Sequence, residues 1–304
     1  MSDYFSQNSS VCSFRNAESW VVLTPIELSI KQKIEAIGTP LKDWDVQINY
    51  GIKTGFNDAF IIDGKKRAEL ITADPKSAEI IRPILRGRDI KRYHYDFADL
   101  WLINTHNGVK DKGVSRINID DYPAIKMHLD QYWDDIVSRA DIGDTPYNLR
   151  NCAYMDDFNK QKIVWIELTN HPNFAIDEEG YVINNTVFFM TGENLKYILA
   201  FLNSKICEWY FDKICATSGV GTRRWIKMYI DQIHIPHCNS SVSSDISYLI
   251  DNKSSIQDYD SRINLLFARM FNLDEDEIRW IEKCELQFTF LYPSYFIFIS
   301  VKMN

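Results

Sequence analysis

"RPILRGRDIKRY" occupies residues 82–93. Arg82, Arg86, Arg88, Lys91 and Arg92 are basic, Asp89 is the single acid, and the charge is gathered around Gly87. The flanks decide what kind of fold holds this knot. Before it, "DPKSAEII" (74–81) reads as a short helix, with Asp74 as N-cap and Pro75 at the first helical position. After it, "LWLIN" (100–104) reads as an apolar strand. Helix, basic loop and strand in close succession point to an α+β fold.

Outward from the knot, further elements agree. "TPIELSIKQKIEAI" (24–37) predicts a helix with Thr24 as N-cap, Pro25 next, Glu27 three residues after the cap and Gly38 as the stop. Ile26, Ile30, Ile34 and Ile37 line one of its faces. "WDVQINY" (44–50), "AFIID" (59–63) and "RAELIT" (67–72) read as strands, and "IDGKKR" carries a hairpin signal. "DYPAIKMHLDQYWDDIVSR" (121–139) is periodic as a helix, through Ile125, Leu129, Trp133 and Ile136 or Val137. "KIVWIEL" (162–168) is a continuous buried-type strand, and "FAID", "YVIN" and "TVFFM" (174–190) are strands joined by tight turns.

"ENLKYILAFLNSKICEWYFDKI" (193–214) is expected as the longest amphipathic helix, with Leu195, Leu199, Leu202, Ile206 and Trp209 on its core face. "WIKMYIDQIHIP" (225–236) reads as one or two strands. "CNSSVSSD" then reads as a linker. Helices are expected at 244–252, 256–272 and 274–284, the last capped by Asp274 with Glu277 as its partner. The fold class is α+β: a mixed, mostly antiparallel sheet body with interspersed helices, followed by a helical C-terminal region. The expected divisions are an N-terminal arm and helix (1–43), the α/β body (44–238), a helical region (239–285) and an aromatic tail (286–304).

The 304 residues carry a formal net charge of -8. That argues against a protein coating nucleic acid indiscriminately, yet leaves room for one basic face, because the field that matters is local. No pair of the six cysteines has C-x-x-C spacing, so they read as reduced thiols of a cytoplasmic protein. "MSDYFSQNSSVCSF" at the start lacks the pattern of a signal peptide. "LQFTFLYPSYFIFISVKMN" at the end is interrupted by Pro293, which disfavours a membrane span.

Catalytic signatures are missing. "GVGTRR" (219–224) follows a helix and lacks the third glycine of a nucleotide cradle. His234, His237 and Cys238 in "HIPHC" make a weak metal signal, and a structural role is favoured. Asp134–Asp135 and Asp156–Asp157 read as solvated surface, because helical neighbours point about 100° apart. "IEK" (281–283) lies in a helical tail without acidic partners, unlike a nuclease metal site.

The order of segments carries more. "INYGIKTGFNDAFIID" (48–63) precedes "SAEIIRPILRGRDIKRY" (77–93). "YPAIKMHLDQY" (122–132), "SRADIGDTPYNLRNCAY" (138–154) and "KIVWIEL" follow, and "LAFLNSKICEWYF" (199–211) and "IHIP" (233–236) close the series. This series resembles the TaqI-like C-terminal specificity domain, the target-recognition region of type IIG restriction-modification enzymes and adenine-specific DNA methyltransferases. The resemblance spans roughly residues 20–280.

It implies a target-recognition-domain-like body that reads double-stranded DNA and associates with a methyltransferase domain or chain. In the family that catalytic domain binds S-adenosylmethionine and carries an Asn-Pro-Pro-Tyr or Asn-Pro-Pro-Phe tetrapeptide. Neither the tetrapeptide nor a glycine-rich cofactor strand occurs in this sequence. The cofactor is therefore expected only on a separate or partner methyltransferase part, and catalytic residues and metals are expected to be none here. The alternative is an interaction subunit or fragment that docks on a catalytic chain and binds DNA weakly by itself.

Site-specific DNA binding requires cations for phosphates and hydrogen-bonding groups for base edges. Three clusters supply them. Arg86 and Arg88 bracket Gly87, with Lys91 and Arg92 following; the same arginines could instead pair internally with Asp89, Asp96 or Asp99. Arg223, Arg224 and Lys227 follow a glycine-containing loop and suit guanine O6/N7 or phosphate, or a solvated hairpin. Lys53, Thr54 and Asn57 lie between glycines, as adaptable donors or as a tight turn required by the fold. Lys65, Lys66 and Arg67 read as a solvated hairpin tip.

Overall fold

The computed structural model describes residues 23–215 and 222–288, with side chains described to residue 283. The polar start, the glycines of "GVGTRR" and the aromatic tail beyond 288 lie outside the described residues. The helices are α1 (Pro25–Ile37), α2 (Gly64–Ala73), α3 (Pro123–Asp130), α4 (Trp133–Ser138), α5 (Leu195–Leu202), α6 (Lys205–Ile214), α7 (Ser240–Asp251), α8 (Tyr259–Met270) and α9 (Glu275–Phe288). The main strands are β1 (Val46–Tyr50), β2 (Ile61–Asp63), β3 (Ile81–Leu85), β4 (Leu100–Ile103), β5 (Lys162–Ile166), β6 (Phe174–Asp177), β7 (Val182–Ile183) and β8 (Val187–Gly192).

The chain divides into two compact units that interleave in sequence. One comprises residues 45–199 and 218–227, the other 1–44, 200–217 and 228–304. Residues 200–217 and 228–238 thus belong with the helical unit rather than with the sheet body.

The sheet body holds two four-stranded sheets, ordered β6-β5-β8-β1 and β7-β3-β4-β2. The pairings are antiparallel except β7 with β3. One apolar cluster joins them: Ile84, Leu85, Leu102 and Ile103 from one sheet meet Val164, Ala175, Val187 and Phe189 from the other, all fully buried. Each of these side chains larger than alanine contributes about 1.5–3 kcal/mol. The body is therefore α+β with mostly antiparallel pairing, as the sequence suggests.

Several local elements differ from expectation, each for an identifiable reason. "RAELIT" is not a strand and "IDGKKR" is not a hairpin, because both fall in or against α2. Asp63 Oδ1 accepts the Lys66 N–H at 2.7 Å, so Asp-Gly acts as an N-cap and first helical residue instead of a turn. Lys65, Lys66 and Arg67 are accordingly helical; Lys66 pairs with Glu69, and the Arg67 guanidinium lies 3.9 Å from the Trp101 ring centroid. Asn57–Phe60 is a helical turn, so the strand expected at 59–63 begins only at Ile61. The 121–139 stretch splits into α3 and α4; Ile125, Leu129 and Ile136 are fully buried, whereas Trp133 and Val137 are exposed.

The single helix expected at 193–214 is broken at Asn203–Ser204. Ser204 caps α6 by accepting the Cys207 N–H at 3.1 Å. All five expected core residues are nonetheless buried, so apolar periodicity survives across the break. The expected linker is instead the first turns of α7, because Asn239 accepts the Val242 N–H at 3.0 Å and Ile246, Leu249 and Ile250 supply a buried face. "WIKMYIDQIHIP" forms a helical turn, Lys227–Ile230, and only His234–Ile235 is strand, paired with Thr39–Pro40.

The helical unit is fastened by capped and paired charges. At the start of α1 the Thr24–Glu27 capping box is complete, and Lys213 of α6 reaches Glu27 at 2.7 Å. Asp274 and Glu277 cap α9 reciprocally, each backbone N–H donating to the other's carboxylate at 3.0 Å. Glu277, 3% exposed, also accepts from Lys33 at 2.6 Å and from Ser29 at 2.7 Å. Burial raises the Glu277 pKa, but these donors outweigh it and hold the carboxyl below the ordinary glutamate value. Phe201 packs edge-on to Phe267 with centroids 4.9 Å apart. His234 bonds the Tyr210 hydroxyl, while His237 stacks on Trp44 and bonds Thr39. Among the described residues no group of three such side chains is placed to hold a metal.

Candidate nucleic-acid interface

All ten sequence-predicted contact residues lie in the sheet body. The strand directions bring their loops to one end of it. β1, β3, β5 and β7 finish there, while β6 and β8 begin there. The turn Asn184-Asn185-Thr186, between β7 and β8, lies where these loops meet.

Asn184 is buried and ties the turn to its surroundings. Its N–H donates to the Leu85 carbonyl at 3.0 Å and its own carbonyl accepts from Val187 N–H at 3.0 Å. Its Oδ1 accepts the Thr186 N–H at 3.3 Å and the Thr186 hydroxyl at 2.7 Å. Each of the three basic clusters is bonded to this turn or to its immediate flanks.

The "GIKTG" loop arrives first. Gly51 N–H donates to the Val187 carbonyl at 2.9 Å and Ile52 N–H to Ile183 at 2.8 Å. A Cβ on Gly51 would collide with the Asn184 carbonyl, which is why glycine stands there. Beyond it the Lys53 ammonium lies 5.7 Å from the centroid of the half-exposed Tyr50 ring. Thr54 is buried and its hydroxyl donates to Asn57 Oδ1 at 2.7 Å, while Asn57 itself is exposed.

The basic knot arrives second. Gly87 N–H donates to Thr186 Oγ1 at 3.2 Å. Arg86 turns inward onto the buried Asp89: Nη2 donates to Oδ1 at 2.9 Å, and Nε and the backbone N–H donate to Oδ2 at 3.1 and 2.8 Å. Arg88 is exposed and, among the described residues, pairs with no carboxylate. Lys91 is exposed and donates to the Arg88 carbonyl at 2.8 Å. Ile90–Lys91 and His94–Tyr95 pair as a short hairpin; Arg92 lies over the Tyr93 ring at 4.8 Å, and Tyr93 N–H fastens the hairpin to the Phe174 carbonyl at 2.8 Å.

The third cluster is bound through Glu167. Its N–H donates to the Thr186 carbonyl at 3.3 Å, and its carbonyl accepts from Trp225 N–H at 2.8 Å. Its carboxylate pairs with Arg224 at 2.9 Å. Arg223 and Arg224 pair in register with Thr169 and Leu168, and the Arg223 guanidinium donates to the Asn170 carbonyl. Lys227 is exposed one turn further on.

Below the loops lies a buried polar frame. Arg139, 7% exposed, donates to three carbonyls: Thr54, Pro146 (3.0 Å) and Asn148 (2.6 Å). Burial pushes its pKa down to about 10, opposed by Asp141, so the guanidinium stays charged at neutral pH. Its position explains part of the "SRADIGDTPYNLRN" segment: one arginine clamps that segment to the "GIKTG" loop. At the opposite end of β5 and β6, away from the loops, Lys162 and Asp177 form a fully buried pair; burial pushes the lysine pKa down and Asp177 opposes it. Asp177 also accepts the N–H groups of Glu179 and Tyr181, each at 2.9 Å.

Residues 82–235, just over half of the chain, match the TaqI-like C-terminal specificity domain. The chain belongs to that family. Type II methyltransferase M.BstVI of Geobacillus stearothermophilus is 22% identical over 279 residues, covering 88% of this chain and 47% of the relative. The chain thus spans about half the length of that curated relative. The type IIL restriction-modification enzyme MmeI, solved in complex with DNA, superposes with a TM-score of 0.59 at 10% identity, over 83% of this chain and 37% of the enzyme. That likeness is one of fold. The type IIG restriction endonuclease BpuSI aligns at a TM-score of 0.48 and 14% identity, over 84% of this chain and 33% of its own.

Sequence reasoning missed Asn184, Asn185, Thr186 and Arg139. "NNT" between two β-type runs is a recognisable turn signal. What it cannot reveal is that Gly87, 99 residues away, bonds Thr186.

Proposed function

We propose that this chain is the sequence-specific DNA recognition module of a restriction-modification type adenine DNA methyltransferase or endonuclease. The observation that carries this reading is the gathering of three cation-bearing loops on one turn at one end of the sheet body. Scattered over different faces, Lys53, Arg88 and Arg223 would favour a protein-docking role. Family membership and the DNA-bound MmeI fold support the same reading.

Double-stranded DNA is the partner, with a methyltransferase domain or chain supplying catalysis. S-adenosylmethionine binds that catalytic part, not these residues. Lys53, Arg88 and Lys91 grip phosphates. Arg223, Arg224 and Lys227 reach base edges or the neighbouring phosphates. Arg86 and Thr54 act from beneath, fixing the loops that present Arg88 and Asn57, and Arg92 steadies the hairpin through Tyr93. The recognition body is the sheet unit, residues 45–199 with 218–227.

Fluorescence titration of the full chain with random-sequence duplex tests this. Three phosphate contacts give a log–log salt slope of about -2.7, so affinity falls about 40-fold between 50 and 200 mM salt. Absence of binding at both salts, with and without a methyltransferase chain, would falsify the reading.

A second reading rests on the helical unit. α7 and α8 expose Tyr248 (63%) and Leu265 (43%) on a groove that Arg262 and Arg269 also line. Such a face suits docking on a catalytic chain. Salt-sensitive binding that emerges only when the methyltransferase chain is added would favour this second role.

A further inference from the structure

The turn at the centre of the loop end has one side chain the scaffold does not use. Asn184 is buried and its amide oxygen holds Thr186. The Thr186 hydroxyl is committed twice, donating to Asn184 and accepting from Gly87. Asn185 is exposed, and among the described residues its amide has no protein partner.

Asparagine is common in turns because it tolerates positive φ or bonds its own backbone. Neither reason applies here. Asn185 is not among the residues with positive φ, and its side chain makes no bond within the turn. Meanwhile the turn that carries it is fixed from three directions: its backbone by Leu85 and Glu167, and the Thr186 hydroxyl by Gly87. A rigid tip with an uncommitted donor–acceptor pair, flanked by loops bearing Lys53, Arg88 and Arg224, is the arrangement base readout requires.

We infer that Asn185 is a specificity-determining residue that reads an adenine in the major groove. The carboxamide matches adenine N6 and N7, donating to one and accepting from the other. This inference rests on the DNA-recognition reading above. The cations of the surrounding loops hold register, and Asn185 adds discrimination at one position.

The test is selection from a randomised duplex pool by the full chain, comparing wild type with Asn185→Ala and Asn185→Asp. Thermal unfolding checks that both variants keep the wild-type midpoint, as expected for an exposed side chain. Wild type enriches a motif containing at least one adenine. Asn185→Ala relaxes the preference at one adenine by about 5- to 140-fold and leaves the other positions and the salt slope unchanged. Asn185→Asp, which keeps the shape but loses the donor, moves that position toward cytosine, whose N4 amine donates. An unchanged motif in both variants overturns the inference and leaves the recognition reading intact. A pool from which wild type enriches nothing overturns both.

Discussion

The helical unit and the loop end of the sheet body use charge in opposite ways. In the helical unit the cations find acids: Lys33 of α1 meets Glu277 of α9 and Lys213 of α6 meets Glu27 of α1 across seams, and Lys31 meets Glu35 along α1. At the loop end of the sheet body, among the described residues, Arg88 stands exposed without a carboxylate, Lys91 donates to a carbonyl and Lys53 rests over an aromatic ring. Cations that stabilise a fold find acids; cations held apart from acids keep their charge for something else. Arg86 and Arg224 are informative exceptions, because their partners, Asp89 and Glu167, lie within the loops they hold.

The sharpest way to break this contrast is at the frame beneath the loops. Arg139→Ala strands three carbonyls, and at about 1–3 kcal/mol for each orphaned group the loss is at least about 3 kcal/mol. Urea unfolding measures it. Arg139→Lys does not restore stability, since a single ammonium lacks the planar fork.

Arg86→Ala comes next. It leaves the carboxylate of Asp89, 4% exposed, without its guanidinium and costs about 1.5–3 kcal/mol. A variant as stable as wild type would remove Arg86 from the scaffold.

Glu277 tests the helical unit by pH. Its folded pKa lies below the ordinary value of 4.5, so its contribution is complete above that value and is lost as pH falls through the folded pKa. Unfolding free energies of wild type and Glu277→Gln should therefore differ by about 1–3 kcal/mol at pH 7 and converge in strong acid. A gap that is constant with pH would contradict the assignment.

Arg88→Ala is expected to have the smallest effect on folding, within about 0.5 kcal/mol. It nonetheless lowers the salt slope of DNA binding by about 0.9. Equal effects of Arg86→Ala and Arg88→Ala on stability would erase the distinction between paired and presented arginines.

What the sequence made legible follows from how locally each feature is determined. The caps at Thr24–Glu27 and Asp274–Glu277 are four-residue patterns and form as read. β5 and β8 announce themselves by unbroken apolar runs. Asp63-Gly64 misleads because the same dipeptide serves a hairpin or an N-cap, and only the packing of Leu70 and Arg67 decides between them. "CNSSVSSD" misleads because serine is tolerated on the exposed face of a helix whose buried face begins at Ile246. The candidate site was legible as three separate clusters. Their meeting place depends on β7 pairing parallel with β3 across a long stretch of sequence, and no local pattern encodes that.

On the proposed reading, the loops of the sheet body present cations to one DNA duplex. The most direct measurement is the salt slope of duplex binding for the full chain, compared with Lys53→Ala/Arg88→Ala/Lys91→Ala. The expected result is a slope shallower by about 2.7 at an unchanged unfolding midpoint. DNA bound with an unchanged slope would contradict it.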